Sequence, residues 1–197
     1  DSNKVVDAIE EKKPDLVLLD IWMSGIDGRE VALEIKSRRT TKNIPIPIGL
    51  ISIAAVVEKK GYEVKIIDGD AENLTLEETL VRVIAEKPDY VGSTTMTATM
   101  DILTKFYTQL KRSLPHTSVI LGGPHVSALP KKTLQDIKAI DFVVKGEGDD
   151  TIIELLETIE GNGDLGKVKG IVFRKEGIIV ENDDRPLIEN LDKLPIH

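Results

Sequence analysis

Four stretches of this sequence combine side chains or bare backbone in ways that could serve a ligand. In Ile120-Leu121-Gly122-Gly123-Pro124-His125 an apolar run ends in two glycines, a proline and a histidine. Glycine has no Cβ to keep a planar or bulky ligand off the backbone, and the imidazole beyond it is a natural metal ligand. The plain alternative is a strand-to-loop turn with a histidine in it. Upstream, Ser93, Thr94, Thr95, Met96, Thr97 and Thr99 crowd one short stretch. Their small hydroxyls can donate to and accept from a buried heterocycle or amide without any charge. Strand alternation turns part of such a cluster away from any one ligand. Gly146-Glu147-Gly148-Asp149-Asp150 opens a helical segment, whose first N–H groups favour an acceptor. The Glu147 charge makes a phosphate a poorer guest there than an amide or hydroxyl, and Asp149 or Asp150 as an N-cap is the structural alternative. Finally, Asp20 ends an apolar run and could accept a phosphoryl group if acidic Mg²⁺-binding partners stood close. Asp68 and Asp70 are the candidates for that role; an acidic residue at a strand end is the other reading.

Such positions need elements to hold them, and the chain supplies these in regular alternation from Asp15 to about Gly161. The runs DLVLLDI (15–21), EVKIIDG (63–69), DYVGSTT (89–95), SVILGG (118–123) and DFVVKG (141–146) are apolar at their centres, as strands buried on both faces require. Residues 49–61, 74–87, 100–114, 129–137 and 149–161 carry helical periodicity, with Gly61 and Gly161 where helix C-caps belong. Five parallel strands joined by right-handed crossovers predict an α/β, flavodoxin-like, doubly wound sheet in the order 2-1-3-4-5. Ligands bind such sheets beyond the carboxyl ends of the strands, where all four stretches fall. VKGIVFRKEGIIVEN (168–182) predicts an accessory β-hairpin turning at Lys175-Glu176-Gly177, followed by a linker.

Bulk composition narrows the function classes. Aromatic residues make up only 4% of the 197, so the core must be built from Ile, Val and Leu. The net charge of −8, with no basic run, argues against a nucleic-acid or anionic membrane partner. The chain has no cysteine, hence no disulfide, thiolate metal site or iron–sulfur cluster of its own. Apolar runs are strand-sized and no signal peptide opens the sequence, which makes the cytoplasm the expected compartment.

Residues 13–46 resemble the middle of a response-regulator receiver domain, with Asp20, Met23, Ser24, Asp27 and Gly28 at the places of the phosphoacceptor strand end and the Asp-Gly that follows. Serine replaces that family's usual proline, and its acidic pair would lie before residue 1. From Pro47 onward the chain resembles the cobalamin-binding domain of cobalamin-dependent radical S-adenosylmethionine (SAM) enzymes. The resemblance is carried by 47–74, by VGSTTMTATM (91–100), VILGGPHVSALP (119–130) and DFVVKGEGDDTIIELLE (141–157), and by the C-terminal GIVFRKEGIIVEN. That family's own first strand and its three-cysteine catalytic barrel are absent.

The two resemblances imply a receiver-like fragment (1–46) supplying a helix, the first strand and a further helix. A cobalamin-binding α/β domain (47–163) and the hairpin with its linker (164–197) would follow. Leu16 to Ile21 would then serve as the central strand, as in a recombined or fused chimera; two natural domains abutted across a gap would read the same way. The resemblance further implies a corrinoid ligand bordered by Ser93, Thr94, Thr95, Met96, Thr97, Gly122, Gly123, Pro124, His125, Gly146, Glu147 and Gly148. A radical SAM catalytic domain would be the partner in the parent protein. Families that use a histidine on cobalt place it in Asp-x-His-x-x-Gly after the first strand, where this chain reads Asp20-Ile21-Trp22-Met23-Ser24-Gly25; indole cannot coordinate, so no metal ligand is expected. The expectation is a cobalamin-binding module that is not itself an enzyme. The alternatives are a chimeric scaffold with no ligand and a receiver-like switch phosphorylated at Asp20.

Overall fold

A computed structural model describes residues 13–21, 47–190 and 194–195. The expected helix from Gly28 to about Arg39, the helix before the first strand, the stretch from Trp22 to Gly25 and His197 lie outside the described residues.

The strands are β1 (Leu16–Asp20), β2 (Val64–Asp68), β3 (Tyr90–Thr94), β4 (Ser118–Gly122), β5 (Phe142–Val144), β6 (Ile171–Lys175) and β7 (Ile178–Glu181). The helices are α1 (Ile48–Glu58), α2 (Leu76–Glu86), α3 (Met100–Ser113), α4 (Pro124–Ala128), α5 (Pro130–Asp136) and α6 (Asp149–Glu160). The seven strands among the described residues form one sheet in the order β2-β1-β3-β4-β5-β6-β7. The first five are parallel and stand in the expected order, with β1 between β2 and β3.

The expectation of a five-stranded sheet with a separate hairpin is corrected: β6 pairs antiparallel with β5, and β7 with β6. The physical reason lies at β5, whose three residues would otherwise present unpaired N–H and C=O groups at a sheet edge. The hairpin itself turns where its residues demand, with Glu176 at φ 51° and Gly177 at φ 82° between the two strands, the pattern that suits the right-handed strand twist.

Two-residue periodicity divides the core. Val17 and Leu19 face one side with Val91, Val119 and Leu121, against Val83 of α2, Phe106, Tyr107 and Leu110 of α3, and Leu134 of α5. Phe106 and Tyr107 meet edge to face, their ring centres 5.3 Å apart. Leu16 and Leu18 face the other side with Ile120 and Val144, against Leu50, Ala54 and Val57 of α1 and Ile152, Leu155 and Leu156 of α6. Each such fully buried leucine contributes about 1.5–3 kcal/mol.

Helix ends follow local chemistry. Thr75 and Glu78 form a reciprocal capping box at α2. The expected helix over 129–137 is α5, and a further short helix that was not expected, α4, precedes it, because Pro124 and Pro130 each start a helix at its first turn. His125 therefore sits in α4 rather than in an open loop.

Candidate cofactor cleft

Along the α1/α6 face, the sheet loses its side chains toward the carboxyl ends of β3 and β4. Gly92 and Thr94 are alternate residues of β3, and Gly122 ends β4 opposite Thr94. A Cβ placed on Gly122 would meet nothing within 4 Å, and the same holds for Gly49 at the start of α1. The space left is a cleft of about 480 Å³ between the sheet and helices α1 and α6, within the usual range of small-molecule sites. Leu16, Leu18, Ile120 and Val144 form its floor; Leu50, Ile53 and Ile152 line the helical sides.

Polar groups enter this apolar cleft at its rim. Asp20, Ser52, Thr94, Glu147 and Asp149 all line it, with no lysine or arginine among the lining residues. Ser52 Oγ donates to the Asp149 carboxylate, tying α1 to the first turn of α6. Neither Asp149 nor Asp150 is the N-cap of that helix: Gly148 holds the position without a side-chain bond, and Asp149 is spent on Ser52. Burial foremost, then the charges of Asp68 and Asp70, holds the Asp20 carboxyl above its ordinary range.

The residues singled out from sequence divide into two groups. Ser93, Thr94, Gly122, Gly123, Gly146, Glu147 and Gly148 line the cleft, as does Asp20. Thr95, Met96, Thr97, Pro124 and His125 do not. Thr95 is fully buried and its Oγ1 donates to Gly122 O at 2.7 Å, which closes the β3 loop onto β4. Met96 is 42% exposed. His125 Nδ1 lies 3.0 Å from Thr97 Oγ1, a side-chain pair beside the cleft. Gly123 serves this architecture through its backbone. At φ 99° it admits only glycine readily, and a Cβ there would lie 2.6 Å from both Thr94 Oγ1 and Thr95 N.

Sequence reasoning missed Pro47, Gly49, Ser52, Ile53, Gly92 and Asp149 as lining residues. Two signals pointed to them. Gly49 and Ser52 are three apart on an otherwise apolar helix, hence on one face; Gly92 is two before Thr94, hence on the same face of its strand.

The family model for the B12 binding domain matches residues 36–156. The chain belongs to that family. The match crosses the junction at 46/47 between the two resemblances. An uncharacterized methyltransferase of Pyrococcus horikoshii is 35% identical over 150 residues, covering 76% of this chain and 32% of its own. The anaerobic magnesium-protoporphyrin IX monomethyl ester cyclase of Synechocystis is 32% identical over 160 residues, covering 80% and 32%. The chain thus spans about a third of the length of these curated relatives. Among solved structures, the radical SAM methyltransferase TsrM from Kitasatospora setae, with cobalamin and a [4Fe-4S] cluster bound, shares the fold at TM-score 0.67 and 20% identity, over 92% of this chain and 31% of that one. The receiver resemblance has its own counterpart. The response regulator MprA of a Mycobacterium strain (KMS) is 26% identical over 193 residues, covering 88% of this chain and 83% of its own.

These relatives overturn the expectation of a module that is not an enzyme. The matched proteins are named a methyltransferase and a cyclase, so the B12-binding domain here is related to those of catalysts. The error came from equating the absence of cysteine in these 197 residues with the absence of catalysis. Among the described residues, no cluster of three metal-ligating side chains occurs and no helix is long and apolar enough to cross a membrane.

Proposed function

We propose that this chain is the cobalamin-holding domain of a corrinoid-dependent, radical SAM-type enzyme, with alkyl transfer its reaction class. The observation that carries this reading is the open backbone at Gly122 and Gly49, facing an apolar cleft of about 480 Å³ in a chain of the B12-binding family. The cleft fits the tail of a corrinoid: a flat, mostly apolar heterocycle could lie against Gly92, Gly122 and Ile120, its polar edges meeting Thr94 and the Gly146–Gly148 backbone. The acidic rim of Asp20, Glu147 and Asp149 favours an amide or hydroxyl of the cofactor over its phosphate.

When bound, the corrinoid would supply a cobalt centre able to carry an alkyl group. This chain's part is to exclude water from the cofactor tail and fix its orientation, which is how a rigid scaffold contributes to transfer chemistry. Iron–sulfur ligands would have to come from outside these 197 residues, since they contain no cysteine. Kinship with the Pyrococcus methyltransferase favours methyl transfer.

The test is incubation with hydroxocobalamin, followed by gel filtration with absorbance read across the corrin bands. A pink protein peak is expected, and Gly122→Leu, which fills the cleft, should elute colourless. A colourless wild-type peak overturns the proposal.

A further inference from the structure

Beyond β7 the chain doubles back; Asn182, Asp183 and Arg185 bond to residues 165–171, and a second set of contacts falls on Lys145 to Glu154, the stretch that forms the rim and one wall of the cleft. Lys145, with its side chain 12% exposed, pairs with Glu181 at 2.8 Å and Asp184 at 2.5 Å. Arg185 Nε donates to Thr151 Oγ1 at 2.8 Å, and the same guanidinium pairs with Glu154 one turn along α6. Asp183 O accepts from Gly170 N at 2.7 Å, next to the strand that covers β5. The last tie is the most telling: Ile188 N donates to Glu147 Oε2 at 2.6 Å. Glu147 thus lines the cleft and holds the returning chain.

The rim needs such support. Glu147 stands between Gly146, at φ 68°, and Gly148, and a loop flanked by glycines has little stiffness of its own. The loop is also tied by Gly146 N donating to Ser127 Oγ at 3.0 Å and by Ile152 N donating to Gly148 O at 2.8 Å. Charge-assisted bonds from Arg185 and to Glu147 are among the stronger ties a surface segment can make.

We propose that residues 181–188 form a strap that fixes the Gly146–Gly148 rim and the first turn of α6, with Arg185 as its positioning residue. Strap closure and occupancy of the cleft are then coupled: whatever tightens one tightens the other, by reciprocal linkage. The identity of the ligand rests on the cobalamin reading; the action of the strap on the rim does not.

Two variants test this in the full chain. Arg185→Ala removes the anchor on α6, and Ile188→Pro removes the N–H that Glu147 accepts. Amide hydrogen exchange is measured without ligand, and hydroxocobalamin affinity is titrated in parallel. Both variants should speed exchange at residues 146–151 by about tenfold while leaving β3 and β4 as protected as in wild type, and both should weaken hydroxocobalamin several-fold. The Arg185→Lys variant, which keeps the charge on Glu154, should recover part of both effects. Unchanged exchange at 146–151 in both variants overturns the strap, whether or not hydroxocobalamin binds. Faster exchange with unchanged affinity overturns the coupling. A wild-type chain that binds no hydroxocobalamin while the exchange difference persists overturns the cofactor reading and leaves the strap standing.

Discussion

Tyr107 Oη donates to Ser93 Oγ at 2.8 Å inside the core, on the side of the sheet away from the cleft. The bond fixes the use of a residue that sequence had offered to a ligand: Ser93 reaches the cleft edge, but its hydroxyl satisfies a buried phenol. Burial pushes the Tyr107 hydroxyl well above the ordinary tyrosine range, so it remains a donor throughout the physiological pH range. Tyr107→Phe should cost about 1 kcal/mol in urea denaturation, the worth of a typical buried hydrogen bond. Hydroxocobalamin affinity should not change. A large loss of affinity would instead place Ser93 among the ligand contacts.

Gly122 and Gly123 are adjacent, yet their substitutions should separate binding from folding. A side chain at Gly122 enters open space in the cleft. Gly122→Val should therefore stay within about 1 kcal/mol of wild-type stability while abolishing corrinoid binding. The measurement is a thermal melt paired with a spectral titration.

Gly123→Ala should do the reverse. Its Cβ would press on Thr94 Oγ1 and Thr95 N at a backbone angle that disfavours any side chain, at a cost of roughly 1–3 kcal/mol. Binding by the folded fraction should fall only as the β3 and β4 loops shift. Chemical denaturation read by circular dichroism checks the stability.

Asp20 gives a pH prediction. Its folded-state carboxyl is held above the unfolded value, so the native state binds the proton more tightly than the unfolded chain does. Stability is therefore highest when Asp20 is protonated, and declines as pH rises from the ordinary aspartate value of about 3.9 through the raised native value. Asp20→Asn should melt higher than wild type at pH 7, and this advantage should shrink as pH falls toward 4. Equal melting temperatures at pH 7 would count against the electrostatic account. An unaltered response to beryllofluoride with Mg²⁺ in the same variant would argue against phosphoacceptance at this position.

Much of the architecture was legible because parallel sheet leaves a plain trace: buried strands such as Leu16 to Leu19 are apolar throughout, and helices between them repeat at another period. The turn at Glu176-Gly177 followed from the same local rules, and the place of β1 between β2 and β3 from crossover rules, although in the seven-stranded sheet β1 is second from the edge rather than central. Part of the cleft was legible too, in the glycines 122 and 123 and in Thr94, since small residues at a strand end have few other uses. The fate of the hairpin was not. Whether two strands stand apart or extend a sheet depends on an edge at β5 that is created only when distant segments assemble.

The same division runs through the site. Residue types and alternation by themselves determined the five parallel strands and the small residues at the ends of β3, β4 and β5, while crossover rules supplied the order of those five. Tertiary structure alone decided which of the small residues face the cleft. It turned Ser93 toward Tyr107, drew Thr95 onto Gly122 O, set His125 beside Thr97, and brought Ser52 from α1 across to Asp149. Local rules act over a few residues, whereas a cleft is the space left between elements far apart in the chain. Its walls are fixed only when those elements pack.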